Sequence, residues 1–470
     1  MTNLTDYDVC VIGGGINGVG IATDAAGRGL NVVLCEQGDL GNYTSSSSTK
    51  LIHGGLRYLE HYEFRLVREA LREREVLLKR APHIIWPLAF LLPHHKGLRP
   101  YWLIRLGLFL YDHLAKRKRL PASRGVKLQG SGLQEHYQRG FEYYDCWVDD
   151  ARLVVLNAML AREKGARILP RHKCIKAERF AEHWQVTLLD IINNQEISFS
   201  CRCLVNAAGP WVNHCITHLL EEKPPQSIRL VKGSHIVVKK FFPGDKAFIL
   251  QNTDNRVVFA IPYEGEFALI GTTDEDHQGD IKNLQISQPE IDYLLATANN
   301  YFQQTLTQDA IVWSYAGVRP LHGDGSEKPE DITRDYQLEW QWGHQQAALL
   351  SIYGGKITTY RKLAELACEL LRDVFPNMGQ PWTKDALLPG AKPLGKYPWL
   401  PDTLYQRYQR TYGSLAEIFL AGKASVDELG EHHGHGLYQA EVDYLREHEW
   451  AMTEEDILWR RTKLGLCVTL

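Results

Sequence analysis

No stretch of this sequence approaches the roughly 18 consecutive apolar residues that a membrane-spanning helix needs. The longest candidates, IIWPLAFLLP and WLIRLGLFLYDHL, are too short or are broken by charge. No basic segment followed by an apolar one precedes the first hydrophobic strand, so no secretory leader is expected. Charge of one sign is lacking too. The 53 lysines and arginines stand against 56 acids, a net charge of −3, which argues against a general nucleic-acid binder. The nine cysteines are an odd number without a C-x-x-C, and most sit in apolar, strand-like runs. They read as reduced, packed thiols rather than a disulfide frame or a metal site, the pair Cys201 and Cys203 included. No internal repeat is present, and TSSSSTK is the one biased tract. What remains is 470 residues of ordinary globular composition, long enough for two or three domains.

The strongest signal is GGGINGVGIATDAAGRGLNVVLCE, residues 13–36. Asp8-Val9-Cys10-Val11-Ile12 before it is a short apolar run with the character of a buried parallel strand. Gly13, Gly15 and Gly18 then fit G-x-G-x-x-G: a sharp turn, room for backbone beside a pyrophosphate, and close packing of the next helix. Ile21, Ala22, Ala25 and Ala26 continue as that helix, whose N-terminus directs unpaired N–H groups and positive dipole toward the phosphates. Val32 to Cys35 is a second strand, ending in Glu36. An acid there, about 20 residues after the glycines, accepts from a ribose 2′-hydroxyl and repels a 2′-phosphate, which disfavours NADP. The motif does not separate NAD from FAD.

Next comes a hydroxyl-dense loop, Thr44 to Thr49, running into Lys50 and the Gly54-Gly55 pair. A flexible serine linker is the alternative reading, but a linker is not expected to run straight into KLIHGGLRYL and a charged helix. In CLVNAAGPWV an apolar strand meets small residues that a cofactor could approach, although a tight turn after a core strand reads the same way. LLSIYGGKITTYRKLAE repeats the passage from strand through Gly354-Gly355 to a helix from about Thr358. A second helix N-terminus suits the ring end of a long dinucleotide.

The segment TSSSSTKLIHGGLRYLEHYEFRLV closely resembles the FAD-dependent, respiratory glycerol-3-phosphate dehydrogenases. The resemblance continues through GFEYYDCWVDDARL, LVNAAGPWV, RLVKGSHIVV, IPYEGEFALIGTTD, WSYAGVRPL, ITRDY, GGKITTYRKLAE and WRRTKLG, in order along nearly the whole chain. It implies FAD, an α/β fold with a discontinuous Rossmann-like FAD-binding domain of the D-amino-acid-oxidase-like type, a β-sheet substrate domain and a helical C-terminal domain. The expected boundaries are 1–80, 150–212 and 330–386 for the FAD-binding domain, 81–149 and 213–329 for the substrate and membrane-facing domain, and 387–470 for the helical one. The expected cofactor contacts are Gly13, Gly15, Asn17, Gly18, Glu36, Thr44, Ser45, Ser46, Lys50, Leu51, Cys174, Ala208, Gly209, Trp211, Gly355, Lys356 and Thr358.

Oxidation of glycerol 3-phosphate to dihydroxyacetone phosphate needs cations for a phosphate dianion, a base near the C2 hydroxyl, and a donor for the developing carbonyl. Arginine suits the phosphate because its planar fork donates two parallel hydrogen bonds. The resemblance implies His235 and Arg319 as catalytic residues, and His53, Arg57, Tyr58, Arg334 and Lys356 as substrate-binding residues. Arg319 is expected to hold the C2 oxygen, with His235 or Arg319 taking part in its deprotonation. His53 and His235 are expected to titrate near neutral pH. Read singly, Arg334 could merely pair with Asp335, Lys356 could extend into solvent, and His235 could be a structural histidine of a β-run.

The family's electron acceptor is a membrane quinone. Residues 98–120 offer a membrane-surface helix: Trp102, Leu103, Leu106, Phe109 and Leu110 share one face, Arg105 and Asp112 lie on the other, and Lys116-Arg117-Lys118-Arg119 follows. An ordinary core helix ending in solvated cations is the alternative. Peripheral attachment on the cytoplasmic side of the inner membrane is expected. The resemblance also leaves room for a homodimer, and relatives usually continue beyond the point where this chain ends. The rival activity is a FAD-dependent amine or amino-acid oxidase using oxygen, which would want a carboxylate clamp rather than several cations.

Overall fold

The computed structural model describes residues 6–468 except 61, 255, 323–334 and 344, with the main chain only at His322. Two sheets organise the described residues. In the first, the strands Gln346–Tyr353, Gln195–Asn206, Tyr7–Ile12, Val32–Glu36 and Arg167–Pro170 run parallel in that order, and Gln337–Gly343 adds an antiparallel edge. Alternation divides each central strand between two faces. Val9 and Val11 face the helices Ile16–Gly27, Asp150–Glu163 and Tyr360–Leu371, while Cys10 and Ile12 face a second apolar cluster around Trp184. The small residues of Ile16–Gly27 allow close packing: a Cβ on Gly20 would lie 2.9 Å from the Tyr360 ring. The nine cysteines form no disulfide; all are buried save Cys467.

The second sheet orders the strands Glu275–Asp276, Ile228–Lys239, Phe267–Gly271, Val257–Tyr263, Ala247–Gln251, Ile85–Pro93, Arg139–Val148 and Leu51–Ile52, with Ile311–His322 also paired to Ile228–Lys239. One face is covered by the helix Gln288–Tyr301. The other receives Leu108 and Tyr111 of the helix Tyr101–His113. One boundary differs from the sequence expectation. Leu51–Ile52 pairs with Arg139–Val148 in this second sheet, and the helix Phe64–Arg80 spans both cores, with Val67 and Leu71 in one and Leu77 and Leu78 in the other.

The helix Tyr101–His113 carries apolar residues on both its inner and its outer side. Trp102, Leu106 and Phe109 point outward at 67%, 46% and 48% exposure, whereas Asp112 is buried and accepts from the Ser123 amide and hydroxyl. Arg105 donates to the same Ser123 hydroxyl. The inner side carries Leu108 and Tyr111 together with the hydrogen-bonded Asp112, and a second apolar stripe of Trp102, Leu106 and Phe109 is left to the surroundings. Among the described residues, no helix is long and apolar enough to cross a membrane.

The C-terminal helices Asp402–Thr411, Ala416–Leu420 and Gln439–His448 share an aromatic core of Tyr408, Tyr412, Phe419 and Tyr444. The last turn, Asp456–Arg461, reaches back to the first sheet. Arg460 and Arg461 both donate to the buried Asp39 carboxylate at 2.6–2.8 Å, and Lys463 pairs with Asp149 at 2.8 Å.

Candidate active site

The glycines of the first turn shape a cradle. A Cβ on Gly13 would lie 2.4 Å from the Ala207 carbonyl oxygen, and one on Gly18 would lie 1.9 Å from that of Gly13. Gly13 also has φ of +113°, which disfavours any side chain. Gly15 is the N-cap and brings no side-chain cap to the helix. A cavity of about 260 Å³ opens in front of this turn, and Gly13, Gly15, Glu36, Thr44, Ser45, Cys174, Ala208, Gly209 and Trp211 line it together. Glu36 accepts from the Gly14 and Gly38 amides at 2.7 Å each, and its buried carboxyl is held above the usual range by desolvation, against those two bonds. An ionised carboxylate has lone pairs beyond those two, so the wall that Glu36 forms still accepts a hydroxyl. Asn17 donates to the Gly354 carbonyl at 3.1 Å, while its buried Oδ1 is without a partner, an acceptor beside the second glycine turn. Gly355, at φ +102°, lies against it, where a Cβ would meet the Asn17 amide at 2.9 Å. A helix terminus capped by a glycine, an acid-walled cavity and an orphaned polar atom between two glycine turns fit a dinucleotide.

The loop from Thr44 to Tyr58 ties the remaining candidates together. The Thr44 hydroxyl donates to the Val318 carbonyl at 2.7 Å, and Ser45 accepts from the Ile16 amide at 3.0 Å. Ser46 lines an adjoining cavity of about 580 Å³ rather than the first one. Lys50 does not present its ammonium to the first cavity. It is buried and bonded to the Ser46 carbonyl and both Asp150 oxygens at 2.7–2.9 Å, so it fixes the loop. The Thr49 hydroxyl and His235 Nε2 lie 2.9 Å apart, the His53 amide donates to the Thr358 hydroxyl at 3.3 Å, and the Lys356 ammonium sits 3.8 Å from the centre of the Tyr58 ring. Leu51 is buried in its short strand, and Arg57 lies on the adjoining turn Leu56–Leu59. Arg334 lies outside the described residues.

His235 and Arg319 come from paired antiparallel strands. His235 is opposite Tyr315, Gly233 opposite Gly317, and Val231 opposite Arg319, so one face carries histidine, a two-glycine gap and arginine. Arg319 bonds Asp274 and, at 3.1 Å, the Thr272 hydroxyl. A Cβ on Gly233 would lie 2.4 Å from the guanidinium, so the glycine is what lets that side chain lie across the strand. His235 is buried with Nδ1 unpartnered. Burial first, then the charges of Lys50 and Arg319, holds its pKa well below the usual histidine value. The expectation of titration near neutrality is corrected accordingly: two cations and desolvation keep this imidazole neutral. Sequence reasoning did not single out Thr49, Asp274, Asp150 or Asp39. Three stood inside recognisable blocks (TSSSSTK, GTTD and WVDDARL), but their roles are interactions across 45 to 186 residues.

The model of the FAD dependent oxidoreductase family matches residues 8–361, and that of the C-terminal domain of alpha-glycerophosphate oxidase matches residues 350–469. A glycerol-3-phosphate dehydrogenase of Pseudomonas aeruginosa is 56% identical over 98% of this chain and 92% of its own. A D-erythritol 1-phosphate dehydrogenase of Brucella abortus is 50% identical over 98% and 95%. Among solved structures, the glycerol-3-phosphate dehydrogenase from Bacillus halodurans complexed with FAD superposes with a TM-score of 0.76 at 28% identity, covering 97% of this chain and 86% of that one.

Proposed function

Because this chain belongs to the family of FAD-dependent glycerol-3-phosphate dehydrogenases, we propose that it oxidises sn-glycerol 3-phosphate to dihydroxyacetone phosphate. Its cofactor is FAD, which when bound takes up the hydride from C2. The reading is carried by one observation: a buried histidine with an unpartnered ring nitrogen shares a strand-pair face with an arginine whose guanidinium lies over the glycine between them. His235 Nδ1 accepts the proton of the C2 hydroxyl. Arg319, oriented by Asp274 and Thr272, donates to the C2 oxygen as its carbonyl forms. Arg57 and Lys356, with Tyr58 beside the ammonium, bind the phosphate dianion, whose charge in turn raises the basicity of the nearby imidazole.

The test is anaerobic. Purified protein carrying flavin is mixed with glycerol 3-phosphate, with D-erythritol 1-phosphate and with glycine. Bleaching of the flavin is expected with the first, faster than with the second. Absence of bleaching by glycerol 3-phosphate refutes the proposal, and peroxide formation with glycine in air supports the oxidase alternative. Substitution of His235 or Arg319 by alanine is expected to slow bleaching by about 100-fold with flavin retained.

The electrons pass on to a membrane quinone, from protein bound peripherally to the cytoplasmic face of the inner membrane. What supports attachment is the outward apolar face of Tyr101–His113 next to the exposed Lys116, Lys118 and Arg119. Inserting the exposed parts of Trp102, Leu106 and Phe109 yields about 1–1.5 kcal/mol each, and each basic residue adds about 1 kcal/mol at an anionic surface. Changing Trp102 and Phe109 together to glutamate is expected to abolish sedimentation with anionic vesicles while bleaching persists. Unchanged sedimentation refutes the attachment.

A further inference from the structure

His235 has almost no freedom apart from the placement of its proton. Its ring stacks on Tyr315 at 4.7 Å and 14°, and Gly271 presses the opposite side, where a Cβ would lie 2.1 Å from the imidazole. Tyr315 is itself held: its hydroxyl donates to the Ser48 carbonyl at 2.7 Å, and the Lys50 ammonium lies 4.9 Å from its ring centre. Lys50 and Asp150 anchor the loop that carries Thr49. The charged groups acting on the imidazole are the cations Lys50 and Arg319, and among the described residues no carboxylate bonds the ring. A histidine usually receives its tautomer from a carboxylate or a carbonyl on the nitrogen away from the chemistry. Here a hydroxyl occupies that position.

We propose that Thr49 is the positioning residue of His235: its hydroxyl accepts the Nε2–H, leaving the lone pair on Nδ1, the nitrogen that meets the substrate hydroxyl. The inference rests on the reading of His235 as proton acceptor. In the step it serves, the C2 O–H bond breaks, its proton goes to Nδ1, and its electron pair becomes part of the new carbonyl bond as the C2 hydride leaves to FAD. Loss of the hydroxyl lets the proton settle on either nitrogen, so part of the population presents N–H where a lone pair is needed.

The test compares Thr49→Val with Thr49→Ser by anaerobic stopped-flow, with rates expressed per bound flavin. Thr49→Val is expected to lower the limiting rate of flavin reduction by about tenfold or more, a fraction of what a general base contributes. Its half-saturating glycerol 3-phosphate concentration is expected to stay within about threefold of wild type, and the acid limb of its pH profile to move. Thr49→Ser is expected to restore both rate and profile. A wild-type rate and profile in Thr49→Val, or equal loss in Thr49→Ser, overturns the assignment. His235→Ala run alongside separates the two claims. Its loss beside a normal Thr49→Val rejects Thr49 alone, and a normal His235→Ala rejects the reading beneath it.

Discussion

Gly233→Ala is a small perturbation whose effects on activity and on folding should part company. Gly233 has no positive φ, so alanine meets no backbone strain. Its new methyl would meet the Arg319 guanidinium at 2.4 Å and the Thr272 hydroxyl at 2.6 Å. Ordinary carbon contacts begin near 3.5 Å, so the guanidinium must retreat by about 1 Å. Both clashing groups are the ends of side chains, so the fold absorbs the change cheaply, and the unfolding midpoint is expected to stay within about 2 °C. The chemistry does not absorb it. A displacement of about 1 Å in a group that orients the reacting oxygen costs up to about 100-fold. The assay is anaerobic flavin reduction at saturating glycerol 3-phosphate, beside a melting curve of the same preparation. A rate within about threefold of wild type would show that the Arg319 position does not govern the step. A large fall in the melting temperature would show that the glycine serves packing instead.

Three further outcomes are expected. Lys50→Met leaves the Asp150 carboxylate buried without its cation, and is expected to destabilise the protein by about 3–5 kcal/mol. Adding Asp150→Asn should recover much of that loss in a denaturant titration, and equal stability of the single and double variants refutes the pairing argument. His83 is buried without a partner on either ring nitrogen, and desolvation, then Arg152, lowers its pKa to about 3. The unfolded chain therefore takes up a proton that the folded one refuses, so stability falls as pH drops below the unfolded value. From pH 6.5 to 5 the loss through this group is about 1.6 kcal/mol. Replacing His83 by leucine should flatten that slope by one proton in urea titrations across this range; an unchanged slope contradicts the argument. Asp39→Asn weakens the hold on Arg460 and Arg461, and limited proteolysis should release the C-terminal helices sooner, whereas an unaltered cleavage rate denies the latch.

What could be read without coordinates was whatever depends on neighbours along the chain. Strand, Gly13, Gly15, Gly18, helix and Glu36 are local, and Gly13, Gly15 and Glu36 meet at one cavity with Thr44, Ser45 and Trp211. The outward stripe of Trp102, Leu106 and Phe109 on Tyr101–His113 was visible from periodicity, but the burial of Asp112 beside Leu108 and Tyr111 was not, because its partner Ser123 lies beyond the helix. The depressed basicity of His235 was equally hidden, since it arises first from burial and then from Lys50 and Arg319, brought near only by folding. Lys50 was expected to serve the cofactor directly. Its attachment to Asp150, 100 residues away, is a pairing that spacing does not reveal.

The Asp39 latch joins positions 421 and 422 residues apart. A growing polypeptide that has reached the glycine turn, the first sheet and most of the second still lacks both guanidinium partners of the loop beside the nucleotide cavity. A chain cut before position 460 would keep every candidate catalytic residue yet leave the Asp39 carboxylate with nothing to close upon.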